Sequence, residues 1–158
     1  MISALDTNIL LDLLIPQAPH QQIAKQLLDE AYRQEALTIS EGVYAELGSQ
    51  FESFEELEEF LKDTGIRLDR STPTTLQLAG EVWRRYTRQW GVALICVECG
   101  RKGVVSCPQC GTPLRVRQHI LMDFLIGSHA SLQADCLVTR DRGYYRRYFP
   151  ALRLQEPR

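Results

Sequence analysis

The sequence predicts an α/β fold in which helices cover both faces of a central parallel sheet. Three observations favour this class. Short apolar runs alternate with amphipathic segments, the 158 residues suit one compact domain, and acidic or polar side chains follow several of the runs. Strands that alternate with helices pair in parallel, because each crossover returns the chain to the same end of the sheet. A cysteine-rich stretch of different composition interrupts the pattern late in the chain.

Three strands and five helices are predicted before the cysteine-rich stretch. The strands are short apolar runs, and the helices repeat apolar residues three or four positions apart. Ser53 before Glu56 is typical of a capped helix start, and Gly65 of a helix end. In order, the elements are a strand over 2–5, helices over about 9–15 and 20–34, a strand over 37–40, helices over 41–50 and about 54–64, a strand over 66–68 and a helix over about 73–90.

After the cysteine-rich stretch the alternating pattern resumes. It predicts an apolar helix over 119–131, a strand over 136–139, a short helix or turn over 142–148 and a last strand over 152–154. We therefore expect one α/β domain made of residues 1–93 and 118–158, with residues 94–117 as an inserted subdomain.

Charge is distributed unevenly along the chain. Residues 1–83 hold 5 Lys and Arg against 15 Asp and Glu, whereas residues 84–147 hold 11 against 4. The net charge of -2 thus hides a basic second half. Such a half permits a partner that carries phosphates, although a solvated face explains the same charges.

No membrane anchor or export signal is expected. A membrane span needs roughly 20 consecutive apolar residues, and the apolar stretches of this chain are shorter and interrupted by Asp and Asn. The amino terminus lacks a basic segment followed by an apolar one, which a secretory signal requires. We therefore expect a cytoplasmic protein.

Four of the five cysteines form two Cys-x-x-Cys-Gly repeats, at Cys96, Cys99, Cys107 and Cys110. Each repeat places two thiolates on one tight turn, and two such turns complete the tetrahedral shell that Zn²⁺ accepts. The spacing therefore predicts a small zinc ribbon with a structural metal. Two disulfides or a redox pair are the alternatives, which the cytoplasmic expectation and the doubled motif disfavour. Cys136, in an apolar strand, is expected to be an ordinary buried thiol.

Four separated acids are candidates for a second, catalytic metal site: Asp6, Glu46, Asp123 and Asp141. Asp6 and Asp141 follow strands, and α/β proteins bind ligands beyond the carboxyl ends of their strands. Asp123 lies in an apolar helix, where an unpaired charge is costly unless a cation offsets it. Carboxylates suit Mg²⁺ and Mn²⁺. Each acid also has a structural alternative. These are a helix cap for Asp6, a solvated helix residue for Glu46, a partner of Arg117 for Asp123 and a turn former for Asp141.

Four stretches resemble PIN-domain nucleases, in particular the VapC-like toxin ribonucleases: Leu5–Asp12, Tyr44–Leu47, Asp123–Ala130 and Ala134–Asp141. The resemblance covers the chain apart from about 94–117, because the usual small toxins lack the ribbon. It implies a PIN-like three-layer α/β/α fold and a homodimer, with RNA as substrate and a cognate antitoxin as partner. It also implies a Mg²⁺ or Mn²⁺ site formed by the four acids, with Asn8 and Thr139 as polar neighbours.

These observations together predict a metal-dependent endoribonuclease that hydrolyses RNA phosphodiester bonds. It would act as the toxin of a toxin–antitoxin module or, since ribosome-assembly nucleases also join a PIN domain to a zinc ribbon, in RNA maturation. A non-catalytic zinc-ribbon module that binds RNA or protein is a further alternative. An aspartyl phosphatase would also begin with an acid after the first strand, but it would want a second Asp where this chain has Asn8.

The basic half supplies candidate RNA contacts. Near the last acid these are Arg140, Arg142, Arg146 and Arg147, and in the ribbon they include Arg115 and Arg117. Two roles are open for Tyr144 and Tyr145, which would either stack on a base or pack into the core.

Overall fold

Strands and helices alternate along the chain in the computed structural model, which describes residues 1–16, 19–33, 36–88, 93–95, 102–113, 120–141 and 143–155. In chain order they are β1 (Ile2–Leu5), α1 (Thr7–Leu14), α2 (Gln21–Tyr32), β2 (Ala36–Ile39), α3 (Glu41–Gly48), α4 (Phe54–Thr64), β3 (Ile66–Leu68), α5 (Pro73–Arg88), β4 (Ala93–Ile95), β5 (Lys102–Val104), α6 (Leu121–Gln133), β6 (Cys136–Val138), α7 (Tyr144–Tyr148) and β7 (Leu154–Gln155).

Five strands form one parallel sheet, in the order β3-β2-β1-β6-β7. The neighbours β1 and β6 come from opposite ends of the sequence, since their paired residues Ser3 and Cys136 are 133 positions apart. All three residues of β6 are buried. Because successive strand residues point to opposite faces, both faces of the sheet are covered. The predicted α/β class with a central parallel sheet is confirmed.

An aromatic cluster joins the three helices of the second half. Phe124 is fully buried at the start of α6. Its ring centroid lies 5.3 to 5.5 Å from those of four other aromatic residues, on α5 and α7: Trp83, Tyr86, Tyr144 and Tyr148. Such pairs add to the burial of their apolar area. The cluster therefore holds the first turn of α6 in place, and this turn carries Asp123.

The position of Asp123 differs from the prediction because α6 begins two residues later than expected. Asp123 lies in the first turn of the helix, half-buried, and its Oδ2 accepts the N–H of Ile120 at 2.9 Å. The first N–H groups of a helix need acceptors, and its positive end favours an acid. The expectation of an unpaired carboxylate buried among apolar side chains is therefore wrong.

Other element boundaries show which local signals are reliable. The predicted ends of α4 are confirmed, since Ser53 Oγ accepts the N–H of Glu56 at 3.2 Å and Gly65 ends the helix with φ 66°. A positive φ is the conformation that glycine adopts without a steric penalty. The last strand, β7, begins two residues later than predicted. None of the helices in the described ranges is long and apolar enough to cross a membrane.

The cysteine-rich stretch contains a separate hairpin. Strands β4 and β5 pair antiparallel and form a sheet of their own. The hairpin begins at Ala93, one residue before the predicted start of the insertion. The division into a domain of residues 1–93 and 118–158 and an insertion of residues 94–117 stays a prediction.

Candidate active site

The four acids predicted as a group all line one cavity of about 430 Å³. Asp6 follows β1, Glu46 lies on α3, Asp123 on α6, and Asp141 follows β6. The cavity therefore opens at the carboxyl ends of the neighbouring strands β1 and β6, where α/β folds place ligands. Its other lining residues are Thr7, Asn8, Leu11, Ser49, Gln50, Tyr144 and Tyr145.

Asp6 is the most buried of these acids, with 6% of its surface exposed. Its Oδ2 accepts hydrogen bonds from Thr139 Oγ1 and Asn8 Nδ2, each at 2.6 Å. Burial raises the pKa of Asp6 from 3.8 to about 6, with a smaller contribution from the charge of Asp123, although hydrogen bonds from Thr139, Asn8 and Tyr145 act to lower it. The metal-free site thus keeps a proton on Asp6 up to about pH 6, well above the range of an ordinary aspartate.

Thr139 lies behind Asp6, fully buried, directly after β6. The sheet ladder continues past β1, because the Asp6 N–H donates to Val138 O at 3.0 Å. This pairing places the two side chains next to each other. The Thr139 hydroxyl also accepts hydrogen bonds from Asn8 Nδ2 at 3.2 Å and from the Asp141 N–H at 3.0 Å. The two polar neighbours named by the resemblance thus both contact the Asp6 carboxylate.

Asp141 both stabilises the turn before α7 and lines the cavity. Its Oδ1 accepts the N–H groups of Gly143 at 3.1 Å and of Tyr144 at 2.9 Å, at the start of α7. This is the turn-forming role that the sequence left open for Asp141. Its side chain nevertheless lines the cavity with the other three acids. The structural and the site roles therefore coincide in this residue.

Glu46 is held by Thr7, a residue outside the predicted site. The Thr7 hydroxyl donates to Glu46 Oε2, and both residues line the cavity. Thr7 lies between Asp6 and Asn8, inside the first stretch that resembles PIN-domain nucleases. The signal that could have identified it is its hydroxyl directly after Asp6, at the end of the first predicted strand.

The acids share the cavity without converging on one point. Within the described parts of the chain, no three His, Cys, Asp or Glu side chains are arranged as a group that could hold a metal ion. The donor set nevertheless fits a hard divalent cation, since all four groups are carboxylates and a buried one gains from a positive neighbour. Mg²⁺ retains several waters and takes only one or two protein carboxylates directly. A hydrated ion suits a cavity of this volume.

The predicted RNA-contacting arginines have different environments. Arg146 and Arg147 are exposed on α7, and the guanidinium of Arg147 lies 5.3 Å from the centre of the Tyr148 ring. Arg140 instead approaches an acid, with its Nε 2.6 Å from Asp12 Oδ2. The other three candidates, Arg115, Arg117 and Arg142, lie outside the described residues.

The two tyrosines considered for base stacking are core residues. Tyr144 is 5% and Tyr145 2% exposed, and their rings pack edge-on at 4.8 Å. Burial, with the nearby charges of Asp123 and Asp141, holds the pKa of both hydroxyls above its usual value. The packing alternative is therefore favoured over stacking on RNA.

One of the two cysteine repeats lies in the described part of the chain. Cys107 and Cys110 are free thiols on a tight turn, in which the Gly111 N–H donates to Cys107 O and the Cys107 N–H to Thr112 O, both at 2.9 Å. Gly111 has φ 70°, which favours glycine. Cys96 and Cys99 lie outside the described residues. The fifth cysteine, Cys136, is buried as expected.

Comparison with known proteins relates the fold to solved structures. The chain superposes on the structure of VapBC2 from Rickettsia felis bound to a DNA fragment from their promoter, with a TM-score of 0.61, 21% identity and coverage of 99% of this chain and 98% of that chain. The structure of VapBC-1 from nontypeable Haemophilus influenzae superposes with a TM-score of 0.60 and 20% identity, with the same coverage of both chains. No protein-family model and no curated protein sequence matches. The likeness supports the predicted PIN-like α/β fold.

Proposed function

We propose that this protein is a metal-dependent endoribonuclease that hydrolyses RNA phosphodiester bonds. The observation that carries the proposal is the shared cavity of Asp6, Glu46, Asp123 and Asp141 at the carboxyl ends of β1 and β6. Four carboxylates around one opening repel an RNA backbone unless cations neutralise them. A nuclease that used Mg²⁺ or Mn²⁺ would need these four acids near one another as ligands of the metal.

The four acids would hold one or two divalent ions, either directly or through water. When bound, such an ion lowers the pKa of its water and neutralises charge that develops on the phosphate. The chain itself supplies the orientation. Thr139 and Asn8 fix the Asp6 carboxylate, and Thr7 fixes that of Glu46. Groups that hold ligand carboxylates in this way tune metal affinity.

RNA would approach over α7, next to the cavity. Arg146 and Arg147 are exposed there, two and three residues beyond Tyr144, which lines the cavity. Arginine binds phosphate oxygens through a planar fork of donors. Contacts of this kind position a backbone without reading its bases. We therefore expect the affinity for RNA to fall steeply as salt concentration rises.

Cleavage assays with single-residue variants test the proposal. Wild type, Asp6→Asn and Asp123→Asn are incubated with single-stranded RNA and Mn²⁺ or Mg²⁺, beside Glu59→Gln, which removes an exposed acid of α4. Metal-dependent cleavage by wild type and Glu59→Gln, lost in the other two, supports the nuclease. Equal cleavage by all four proteins indicates contamination and overturns the site. No cleavage by any of them, with RNA still bound, favours a non-catalytic RNA-binding module.

The four paired cysteines, Cys96, Cys99, Cys107 and Cys110, would hold a structural Zn²⁺. The turn at Cys107 and Cys110 supports this, because it presents both thiols from one tight bend closed by Gly111. Thiolate ligation of this kind suits a reducing compartment such as the cytoplasm. Metal analysis should find about one zinc per chain, lost in Cys107→Ser and kept in Cys136→Ser. A wild-type protein without tightly bound zinc would contradict the ribbon.

The biological setting we propose is that of a toxin, with a cognate antitoxin and a homodimer. The support is the likeness of almost the whole chain to two structures that are named as VapBC complexes. RNA maturation is the alternative, since the zinc ribbon departs from the small toxins. Co-purification of the product of an adjacent small reading frame would favour the toxin, and ribosomal genes alongside would favour maturation. Light scattering at twice the mass of one chain would establish the dimer.

A further inference from the structure

Asp12 is a buried acid outside the group of four. It lies on α1 with 6% of its surface exposed, one helical turn after Asn8. An uncompensated charge in such a position is strongly unfavourable. Its partner is Arg140, whose Nε lies 2.6 Å from Asp12 Oδ2. The N–H does not point along the line to the oxygen, so the contact is an ion pair rather than a well-aligned hydrogen bond.

Arg140 is attached to α1 at two points. Its backbone N–H donates to Asn8 Oδ1 at 3.1 Å, and its guanidinium meets Asp12 one turn further along the helix. Arg140 lies between Thr139 and Asp141, directly after β6. Two attachments separated by one helical turn fix both the position and the direction of this short segment.

We infer that the Asp12–Arg140 ion pair is a positioning device for the candidate active site. It holds the segment 139–141 against α1, so that the Thr139 hydroxyl reaches Asp6 and the Asp141 side chain faces the cavity. Arg140 therefore acts through the protein rather than on RNA phosphates. This role of the pair for catalysis rests on the proposed function, but the placement of the segment does not.

The electrostatics of the region favour this role over an RNA contact. The Arg140 side chain is 35% exposed and that of Asp12 9% exposed. If Arg140 turned toward a phosphate, the Asp12 carboxylate would remain buried without its counter-charge, and binding would bear that cost. Arg147 is exposed on α7, with its guanidinium 5.3 Å from the centre of the Tyr148 ring. RNA would therefore engage Arg147, and the exposed Arg146 beside it, in preference to Arg140.

Hydrogen exchange on the metal-free protein tests the placement of the segment. The variants are Asp12→Asn, Arg140→Gln, both together, and Arg140→Lys, which keeps the charge. Arg84→Gln removes an exposed arginine of α5 and is the matched control. We expect the amides of residues 139–141 to exchange about tenfold faster in the first two variants. The double variant should be no faster than either single one, because both remove the same contact. Arg140→Lys should lie between, and Arg84→Gln should match wild type.

Mn²⁺ titration and RNA binding without divalent ions complete the test. Asp12→Asn and Arg140→Gln should weaken Mn²⁺ binding by about tenfold each and leave RNA affinity within about twofold of that of Arg84→Gln. Weaker RNA binding in Arg140→Gln alone, with exchange unchanged in both variants, would assign Arg140 to RNA and overturn the inference. If wild type neither binds Mn²⁺ nor cleaves RNA, the proposed function fails. The exchange result would then still decide whether the pair places the segment.

Discussion

The Thr139 hydroxyl lies 2.6 Å from Asp6 Oδ2 and gives its proton to that atom. Its oxygen also accepts hydrogen bonds from the side chain of Asn8 and the backbone of Asp141. A hydroxyl has one proton to donate and two lone pairs to accept with. Because both lone pairs are engaged, the direction of the donated bond is fixed, and Thr139 orients the Asp6 carboxylate from behind.

Replacing Thr139 by valine should reduce metal-dependent cleavage by about 10- to 100-fold. Valine keeps the shape but has no proton for Asp6, and it leaves the Asp141 N–H without its acceptor. Thr139→Ser keeps the hydroxyl and should stay within a few-fold of wild type. The measurement is kcat at saturating Mn²⁺, with melting temperatures to confirm folding. Full activity in Thr139→Val would show that the bond is dispensable.

The metal-free protein should lose stability as pH rises from about 4 to about 6. Burial raises the pKa of Asp6 to about 6, above its value of 3.8 in the unfolded chain. Between these values the folded state binds more protons, so the stabilising effect of the proton is complete below pH 4 and lost as pH passes 6. The shift corresponds to about 3 kcal/mol.

Urea unfolding in EDTA, compared between wild type and Asp6→Asn, isolates this effect. The difference in unfolding free energy between the two proteins should change by about 3 kcal/mol over the window, in the direction that favours Asp6→Asn at neutral pH. Acids that do not interact with Asp6 cancel in the comparison. Glu41 is one of them: burial raises its pKa, but the hydrogen bonds of Ser71 outweigh this and lower it. A pH-independent difference would place the Asp6 pKa near its ordinary value.

Alanine at Gly127 should destabilise the fold by about 1–3 kcal/mol. A Cβ at this position of α6 would lie 2.3 Å from Cε2 of Phe149, whose ring is buried and cannot swing aside. Gly80→Ala is the matched control, because its Cβ would meet no atom within 4 Å. That substitution should stabilise α5 by about 0.5–1 kcal/mol, since alanine favours the helix. Equal effects in urea unfolding would refute the packing argument.

Gln133→Glu should cost about 1–3 kcal/mol at neutral pH. The Gln133 amide uses all its hydrogen-bonding positions: Oε1 accepts from the Thr72 N–H and the Thr75 hydroxyl, and Nε2 donates to Asp69 Oδ2 and Arg70 O. Glutamate has the same shape, but it would place a carboxylate oxygen where Nε2 now donates to Asp69 Oδ2 and Arg70 O, so that acceptors would face acceptors. The loss in unfolding free energy should shrink below about pH 4, where a protonated acid regains one donor. A pH-independent loss would point to a steric cause.

The order of elements and the centre of the site follow from patterns within short stretches of sequence. Apolar runs and amphipathic spacing give the strands and helices, and strands of a parallel sheet end at one edge. The proximity of Asp6 and Asp141 was therefore predictable. The start of α6 was not, because the Asp123 carboxylate caps the helix from its third position, and an apolar run does not reveal where a helix begins.

Contacts between side chains that lie far apart in the chain could not be predicted from the sequence. Asp12 and Arg140 meet because β1 and β6 are neighbours and α1 leaves the sheet directly beside the segment after β6. Gln133 bridges to Asp69 because α6 ends near the start of α5. Each pairing depends on how helices pack on the sheet, a property of the whole fold. Periodicity reports only which face of an element is apolar.

The adjacency of β1 and β6 has a consequence for the order in which the protein is made. Asp6 lies 133 positions before Thr139 in the chain, so α1 to α6 are all synthesised before the residues that follow β6. A nascent chain that has not yet reached β6 lacks the strand that places Thr139 and Asp141, and therefore lacks the complete cavity.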